Sequence, residues 1–347
     1  MSTSISTDDD PEALADTPDT PVMPGAAVVA PMVVAILMRV RLLTAPLTVD
    51  EGGYLAVARA WARGQHLYAD VWVDRPQGLL MLYRLQHVLG PGTPVGVRLL
   101  AVVACIVGTV ACGHIAARLA GERARLPAGL FVAVFASLPQ IEGHTANAEL
   151  LSASLGAVSL ALCLEASHRG VHGTRWMLAA GVAGGAALTV KQSAFDALGA
   201  AFVAVAVAGV AGAALHRRAR AVGLLAAGAA IPLGVCALHG ALTGWDRWWY
   251  AVAGYRLTRR SAFVDARFER IDVVWDVIRP ACLVLAVVLV TGLLVGAASS
   301  PASRRAVVVL GAWCAFAVLA FALGGQFFRH YWTILAFPAA TAAGAVI

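Results

Sequence analysis

The chain has 347 residues, of which 60% are apolar and only 13% are charged, with a formal net charge of +6. Its mean hydropathy is +0.76. Soluble domains carry about 25% charged residues, so the composition excludes an ordinary soluble protein and predicts an integral membrane protein. The six cysteines lie inside apolar runs without a CxxC pair, which disfavours a disulfide framework or a zinc site.

Residues 1–24 are rich in Asp, Thr, Ser and Pro and have no apolar periodicity. We predict a disordered cytoplasmic tail, because a signal peptide would need a basic start and a small-residue cleavage site. Residues 25–347 are predicted to form one transmembrane domain. Since the chain stops at Ile347 within an apolar run, we expect a short or truncated member of its class.

A helix needs about 20 apolar residues to cross a membrane, and apolar runs of this kind recur along the chain. They predict an all-α, polytopic transmembrane bundle of about ten spans. The candidate spans are about 26–47, 97–118, 126–140, 148–165, 176–190, 194–214, 221–240, 277–298, 306–325 and 331–347, with a shorter run at 78–91.

Basic residues orient these spans. Four clusters occupy alternate short loops, and the positive-inside rule places them in the cytoplasm. They are Arg118/Arg123/Arg125, His168/Arg169/Arg175, Arg217/Arg218/Arg220 and Arg304/Arg305. Loops 48–77 and 241–276 then lie outside the plasma membrane, and this parity requires that segment 78–91 does not cross fully.

The first outer loop opens with two adjacent acids, Asp50 and Glu51, at the edge of a span. Residues 50–65 predict an amphipathic helix that lies along the outer interface. Asp50 would face water there, with Tyr54 one turn away. The plainer alternative is that Asp50 only caps the helix and stabilises its dipole.

Both long outer loops are rich in arginine, against the positive-inside trend. A guanidinium matches phosphate bidentately, so this placement suggests an anionic ligand; the alternative is a solvated or headgroup-binding surface. Trp245, Trp248 and Trp249 in the second loop are typical of an interfacial aromatic belt, although such rings also stack on sugars.

The first outer loop resembles that of class C glycosyltransferases, in the branch that holds the protein O-mannosyltransferases and the lipid A aminoarabinose transferase. The matching residues are Asp50-Glu51, Tyr54 and Asp74-Arg75-Pro76, with Arg75 where lysine is common and Gln77 where a second proline is frequent. Weaker matches are Asn147-Ala148-Glu149, Lys191-Gln192 and Arg329-His330-Tyr331 with Pro338.

The resemblance implies an inverting transfer of a sugar from a polyprenyl phosphate to a glycan, lipid or protein acceptor at the outer membrane face. Asp50 would be the general base, while Glu51 or Asp74 would orient the acceptor or hold the arginines. The predicted ligands of the donor phosphate are Arg75, Lys191 and Arg329, and the other predicted substrate-binding residues are Tyr54, Gln192, Tyr331 and Arg256.

Two other functions fit the same composition: a transporter or flippase of a lipid-linked intermediate, and a non-catalytic protein of envelope assembly. Acidic groups at one face and the absence of an internal repeat favour the enzyme. We predict membrane lipids as partners, no nucleic acid and no cofactor. A divalent ion is the less favoured alternative, because His66, His144 and His330 share the outer side without ligand spacing.

Overall fold

The computed structural model describes residues 24–89, 93–207, 215–258, 267–296 and 301–347. The predicted tail, apart from Pro24, and residues 259–266 of the second loop lie outside the described residues. Within the described ranges the chain is helical, and the β pairing there is one isolated bridge between Leu67 and Val71. The all-α prediction is confirmed.

The α-helices follow one another with short turns between them. They are α1 (Pro24–Val40), α2 (Val49–Ala62), α3 (Gln77–Leu89), α4 (Pro94–Ala120), α5 (Arg125–Phe135), α6 (Ala148–His168), α7 (Thr174–Val190), α8 (Asp196–Val207), α9 (Leu215–Thr243), α10 (Trp245–Trp249), α11 (Tyr255–Thr258), α12 (Arg267–Gly296), α13 (Pro301–Gly324) and α14 (Trp332–Ala345).

Four of the described helices are long and apolar enough to cross a membrane: α4, α6, α9 and the Arg304–Gly324 part of α13. The helices α1 and α8 are apolar but shorter. In the core, α6 packs between α4 and α7, and α7 packs against α9. Small residues bring α7 and α9 together, since a Cβ on Gly181 would clash with the carbonyl oxygen of Leu225. Close backbone approach through glycine is typical of helices packed in membranes.

Helix α3 corresponds to the shorter predicted segment 78–91, of which residues 90 and 91 lie outside the described residues. Its 13 residues span about 20 Å at 1.5 Å per residue, too short for a hydrocarbon core of about 30 Å. Gln77 at its start bonds to the carbonyl oxygen of Cys236 near the end of α9 (2.9 Å). Arg98, in the second turn of α4, bonds to Glu51 of α2. The chain therefore enters and leaves α3 at the same end of the bundle, as the parity argument predicted.

We call this end, which carries α2 and α3, the site face. Four distant segments return to it: loop 136–147, Lys191–Gln192, helices α10 and α11, and segment 325–331. Each bonds to α2, α3 or the loop between them. The turns Glu122–Ala124 and Gly170–Gly173 lie at the other end, which we call the opposite face. This alternation matches the one that the basic clusters predicted.

Candidate active site

The start of α2 is fixed by a capping box. The backbone N–H of Glu51 donates to Thr48 Oγ1 (3.3 Å), and the backbone N–H of Thr48 donates to Glu51 Oε2 (2.9 Å). These reciprocal bonds satisfy two amides that have no partner inside the helix. Asp50 therefore occupies the first helical turn, and its side chain is 45% exposed.

Glu51, one residue later, is fully buried. Its Oε1 lies 2.9 Å from Arg98 Nη1 and accepts the backbone N–H of Ala146 at 2.9 Å. Its Oε2 serves the cap. Both carboxylate oxygens of Glu51 are thus engaged: Oε1 joins α2 to α4 and to the loop before α6, and Oε2 caps α2. The placement favours a positioning role, and a direct part in the chemistry stays a prediction.

Asp50 faces His330, which lies in the turn before α14. The Oδ2 of Asp50 is 3.8 Å from His330 Nε2, and the same nitrogen is 3.8 Å from Glu149 Oε1. The Nδ1 of His330 lies 3.0 Å from Glu142 Oε2. Burial alone would lower the pKa of His330, but the carboxylates of Glu149 and Glu142 outweigh it and raise that pKa. The hydrogen bond from His330 in turn lowers the pKa of Glu142.

Asp74 joins two guanidinium groups that are far apart in the sequence. Its Oδ2 lies 2.7 Å from Arg75 Nη1 and 2.7 Å from Arg256 Nη2. Gln192 holds the two loops that carry these groups, because its Nε2 donates to the backbone carbonyl oxygens of Asp74 (3.2 Å) and Val252 (2.7 Å). The first and second long loops are held together at this point.

These groups surround a cavity of about 260 Å³, which we call the chamber. It is lined by Asp50, Tyr54, Asp74, Arg75, Tyr255, Arg256, Leu323, Gly324, Gly325, Gln326, Phe328, His330 and Tyr331. Burial raises the pKa of Tyr54 and keeps its hydroxyl protonated.

A second cavity of about 450 Å³, which we call the side cavity, adjoins the chamber and shares Phe328 and His330 with it. Its remaining lining is Glu142, Glu269, Arg270, Val273, Val274 and Arg329.

The structure brings six of the ten predicted site residues to the chamber wall: Asp50, Tyr54, Asp74, Arg75, Arg256 and Tyr331. Lys191 lies behind that wall, where it pairs with buried Glu149 and places Nζ 3.7 Å from the ring centre of Tyr331. Gln192 donates a hydrogen bond to the backbone of Asp74, and Arg329 lines the side cavity. Glu51 is buried where α2 packs against α4.

Sequence reasoning missed the carboxylates that hold His330. Glu149 lies in the polar element Asn147-Ala148-Glu149 at the start of α6, so the sequence did contain a signal for it. Asn147 caps this helix by accepting the N–H of Leu150 (2.7 Å). Glu142 follows a short 3₁₀ turn with a left-handed φ of 53°. No pattern around it pointed to a site.

Within the described ranges, no group of three or more His, Cys, Asp or Glu side chains is arranged to hold a metal ion. The expectation that the protein works without a cofactor stays a prediction.

No protein-family model and no curated protein matches this chain. Solved structures do. ArnT from Cupriavidus metallidurans bound to undecaprenyl phosphate matches with a TM-score of 0.64 and 18% identity, over 93% of this chain and 59% of that protein. The oligosaccharyltransferase of Archaeoglobus fulgidus in its apo form matches with a TM-score of 0.60 and 14% identity, over 94% of this chain and 50% of that one.

A third structure, the Archaeoglobus fulgidus oligosaccharyltransferase AglB in complex with an inhibitory peptide and a dolichol-phosphate, gives a TM-score of 0.57 at 13% identity, over 93% of this chain and 50% of that one. The chain thus spans between half and three-fifths of the length of these proteins. It has the same fold as ArnT and this oligosaccharyltransferase, and its apolar helices indicate a multi-pass membrane protein.

Proposed function

We propose that this protein is an inverting glycosyltransferase that moves a sugar from a polyprenyl phosphate to a cell-envelope acceptor at the outer face of the plasma membrane. The observation that carries the proposal is the chamber, where the half-exposed carboxylate of Asp50 shares a small cavity with Arg75 and Arg256. The fold supports it, because ArnT is bound to undecaprenyl phosphate and AglB to a dolichol-phosphate in structures of the same fold.

In this reaction Asp50 takes the proton of an acceptor hydroxyl. The oxygen attacks the anomeric carbon of the donor sugar, and the bond from that carbon to the phosphate oxygen breaks with its electron pair on the phosphate. One carboxylate base suffices, because a polyprenyl phosphate leaves as a stabilised anion, unlike the alcohol that a glycosidase must protonate. General-base catalysis of this kind contributes about 10²–10⁴-fold.

The departing phosphate gains negative charge, so preorganised cations beside it stabilise the transition state. Asp74 offers one negative charge to two guanidinium groups, which leaves the trio with a net positive charge. The Nε atoms of Arg75 and Arg256 are also buried without a hydrogen-bond partner. These unused N–H donors suit phosphate oxygens.

The side cavity gives the acceptor a way in. It shares His330 with the chamber but is not lined by Arg75 or Arg256. Its lining includes the exposed Arg329 and also Phe328, whose ring centre is 4.5 Å from the Arg270 guanidinium carbon and 5.7 Å from the His330 ring centre. An acceptor hydroxyl that enters there passes His330 and reaches Asp50 in the adjoining chamber, which Arg75 and Arg256 also line.

The test is complementation of a deletion strain, with mass spectrometry of its envelope glycans, lipids and polyprenyl-linked precursors. We expect the wild-type gene to restore a missing sugar and Asp50→Asn to leave the precursor accumulated. The matched control is Asp70→Asn in the same loop, because Asp70 is exposed, pairs with His66 and does not line the chamber.

Full restoration by Asp50→Asn at normal expression would contradict the proposal and favour a transporter or a scaffold. An unchanged profile in the deletion strain would contradict it as well.

A further inference from the structure

A second polar cleft lies at the opposite face, at the far end of the bundle from the chamber. Two adjoining cavities of about 300 and 950 Å³ share Arg169 there. We call them together the basic cleft. Its lining residues are His114 and Arg118 of α4, Ala161, Leu162 and Glu165 of α6, Arg169 and His172 of the turn, and Thr174, Arg175, Trp176 and Leu178 of α7.

The charges of this cleft do not balance. Glu165 is its single carboxylate, and it already pairs with Arg118 Nη2 (2.7 Å), Arg169 Nε (2.5 Å) and His114 Nε2 (3.2 Å). Arg175 adds a further positive charge and, among the described contacts, has only the ring of Trp176 beside it (5.7 Å). The arginines exceed the carboxylate by two positive charges.

Two residues that line the cleft also carry a hydrogen-bond donor without a partner. The indole N–H of Trp176 and the Nε of Arg118 are buried without a partner. A buried donor without a partner is destabilising, so an acceptor atom in the cleft would offset that loss. The indole also lies beneath Arg169, whose guanidinium carbon is 4.7 Å from the ring centre.

The floor of the cleft is apolar. Ala161, Leu162 and Leu178 line it on the side that runs into the bundle. A ligand here therefore meets cations and N–H donors at one end and a hydrocarbon surface at the other. A free inorganic anion would use only the first of these features, whereas a lipid with an anionic headgroup would use both.

We infer that the basic cleft binds the phosphate of an anionic glycerophospholipid, with one acyl chain along the α4–α6–α7 groove. Arg175 and Arg169 contact the phosphate, and the Trp176 N–H donates to one of its oxygens. This site is separate from the chamber and does not depend on the proposed transferase activity.

The experiment measures lipid binding to the purified full chain in detergent by native mass spectrometry. Dioleoylphosphatidylglycerol is titrated against dioleoylphosphatidylcholine, which has the same chains but no net charge. We expect preferential binding of phosphatidylglycerol. Arg175→Gln should weaken it about fivefold, the usual effect of one basic residue at a membrane surface. Trp176→Phe, which keeps an aromatic ring and removes the N–H, should weaken it about two- to tenfold.

The matched control is Arg217→Gln, because Arg217 is an exposed arginine at the start of α9 that does not line the cleft. Its phosphatidylglycerol affinity should equal that of the wild type.

Equal binding of the two lipids would overturn the inference, and so would equal losses in Arg175→Gln and Arg217→Gln, which would mean diffuse surface attraction. Displacement of phosphatidylglycerol by equimolar undecaprenyl phosphate would also overturn it, by assigning the cleft to a polyprenyl lipid. Thermal unfolding of each lipid-free variant shows whether a loss of binding reflects misfolding.

Discussion

Asp50 and Glu51 are neighbours in the sequence and have the same charge, yet they lie in opposite environments. Glu51 is fully buried, and both of its oxygens are bound by groups from α2, α4 and the loop before α6. Asp50 is half-exposed and opens onto the chamber, with His330 at 3.8 Å as its nearest ionic contact. Successive helical residues point in different directions, so one turn of helix supplies both a structural anchor and the proposed general base. The burial of the first holds the second in place.

The sharpest test of this contrast is Glu51→Gln. It removes one charge at constant size and leaves Arg98 buried without a counter-ion, which should lower the free energy of unfolding by about 3–5 kcal/mol. Asp50→Asn is the matched control and should change stability by less than about 0.5 kcal/mol. Reversible unfolding in detergent measures both. Similar losses of unfolding free energy in the two variants would contradict the view that Glu51, and not Asp50, anchors α2.

Lys191 extends the comparison to a predicted phosphate ligand that the fold places behind the chamber wall. Lys191→Met leaves the Glu149 carboxylate buried without its ammonium partner, so the free energy of unfolding should fall by about 3 kcal/mol. A second change, Glu149→Gln, should recover part of that loss. If Lys191→Met instead keeps wild-type stability and only weakens donor binding, then Lys191 contacts the phosphate directly.

The cap of α2 gives a smaller effect. Thr48→Ala removes the hydroxyl that accepts the Glu51 N–H, and loss of an N-cap side chain typically lowers stability by about 1 kcal/mol. The Glu51–Arg98 pair remains, so the proposed sugar transfer should stay within a few-fold of the wild type. A loss of activity as large as that of Asp50→Asn, with stability retained, would show that Asp50 is positioned by the cap rather than by the Glu51 anchor.

The smallest expected change is a pH dependence of the contribution that His330 makes to the free energy of unfolding. The pKa of His330 is raised from 6.5, so its stabilisation is complete below pH 6.5 and is lost as pH rises through the raised value. The pKa of Glu142 is lowered from 4.5, so its contribution is complete above pH 4.5 and is lost as pH falls through the lowered value.

The stability difference between wild type and His330→Asn should therefore be largest between about pH 4.5 and 6.5 and shrink on both sides. Asp50, Glu149, Lys191, Arg329 and His144 are the other charged or titratable groups that act on this pair. Denaturation series at several pH values give the comparison. A difference that grows above pH 7 would mean that His330 is neutral in the folded protein.

Local signals in the sequence predicted much of the molecule. Apolar runs predicted the long helices, and arginine clusters predicted how the helices alternate between the two faces. That segment 78–91 does not cross the membrane stays a prediction. The residues of loop 48–77 were predicted as a site because carboxylates at the edge of a membrane span are energetically unfavourable and therefore indicate a function. The partner of each acid was beyond reach, since Glu51 meets Arg98 and Asp50 meets His330 across 47 and 280 positions of the chain. Those pairings follow from helix packing, which no short pattern encodes.

Gln77 is where this chain departs from the motif that its first outer loop otherwise resembles. A proline suits the first position of a helix, but it has no side-chain donor or acceptor. Gln77 receives the Trp248 indole N–H (3.1 Å) and reaches His239 Nδ1 (3.0 Å) and the Cys236 carbonyl oxygen. The substitution thus fastens α10 to α3. Relatives that keep proline at this position should lack tryptophan at the position of Trp248, so the two sites should covary.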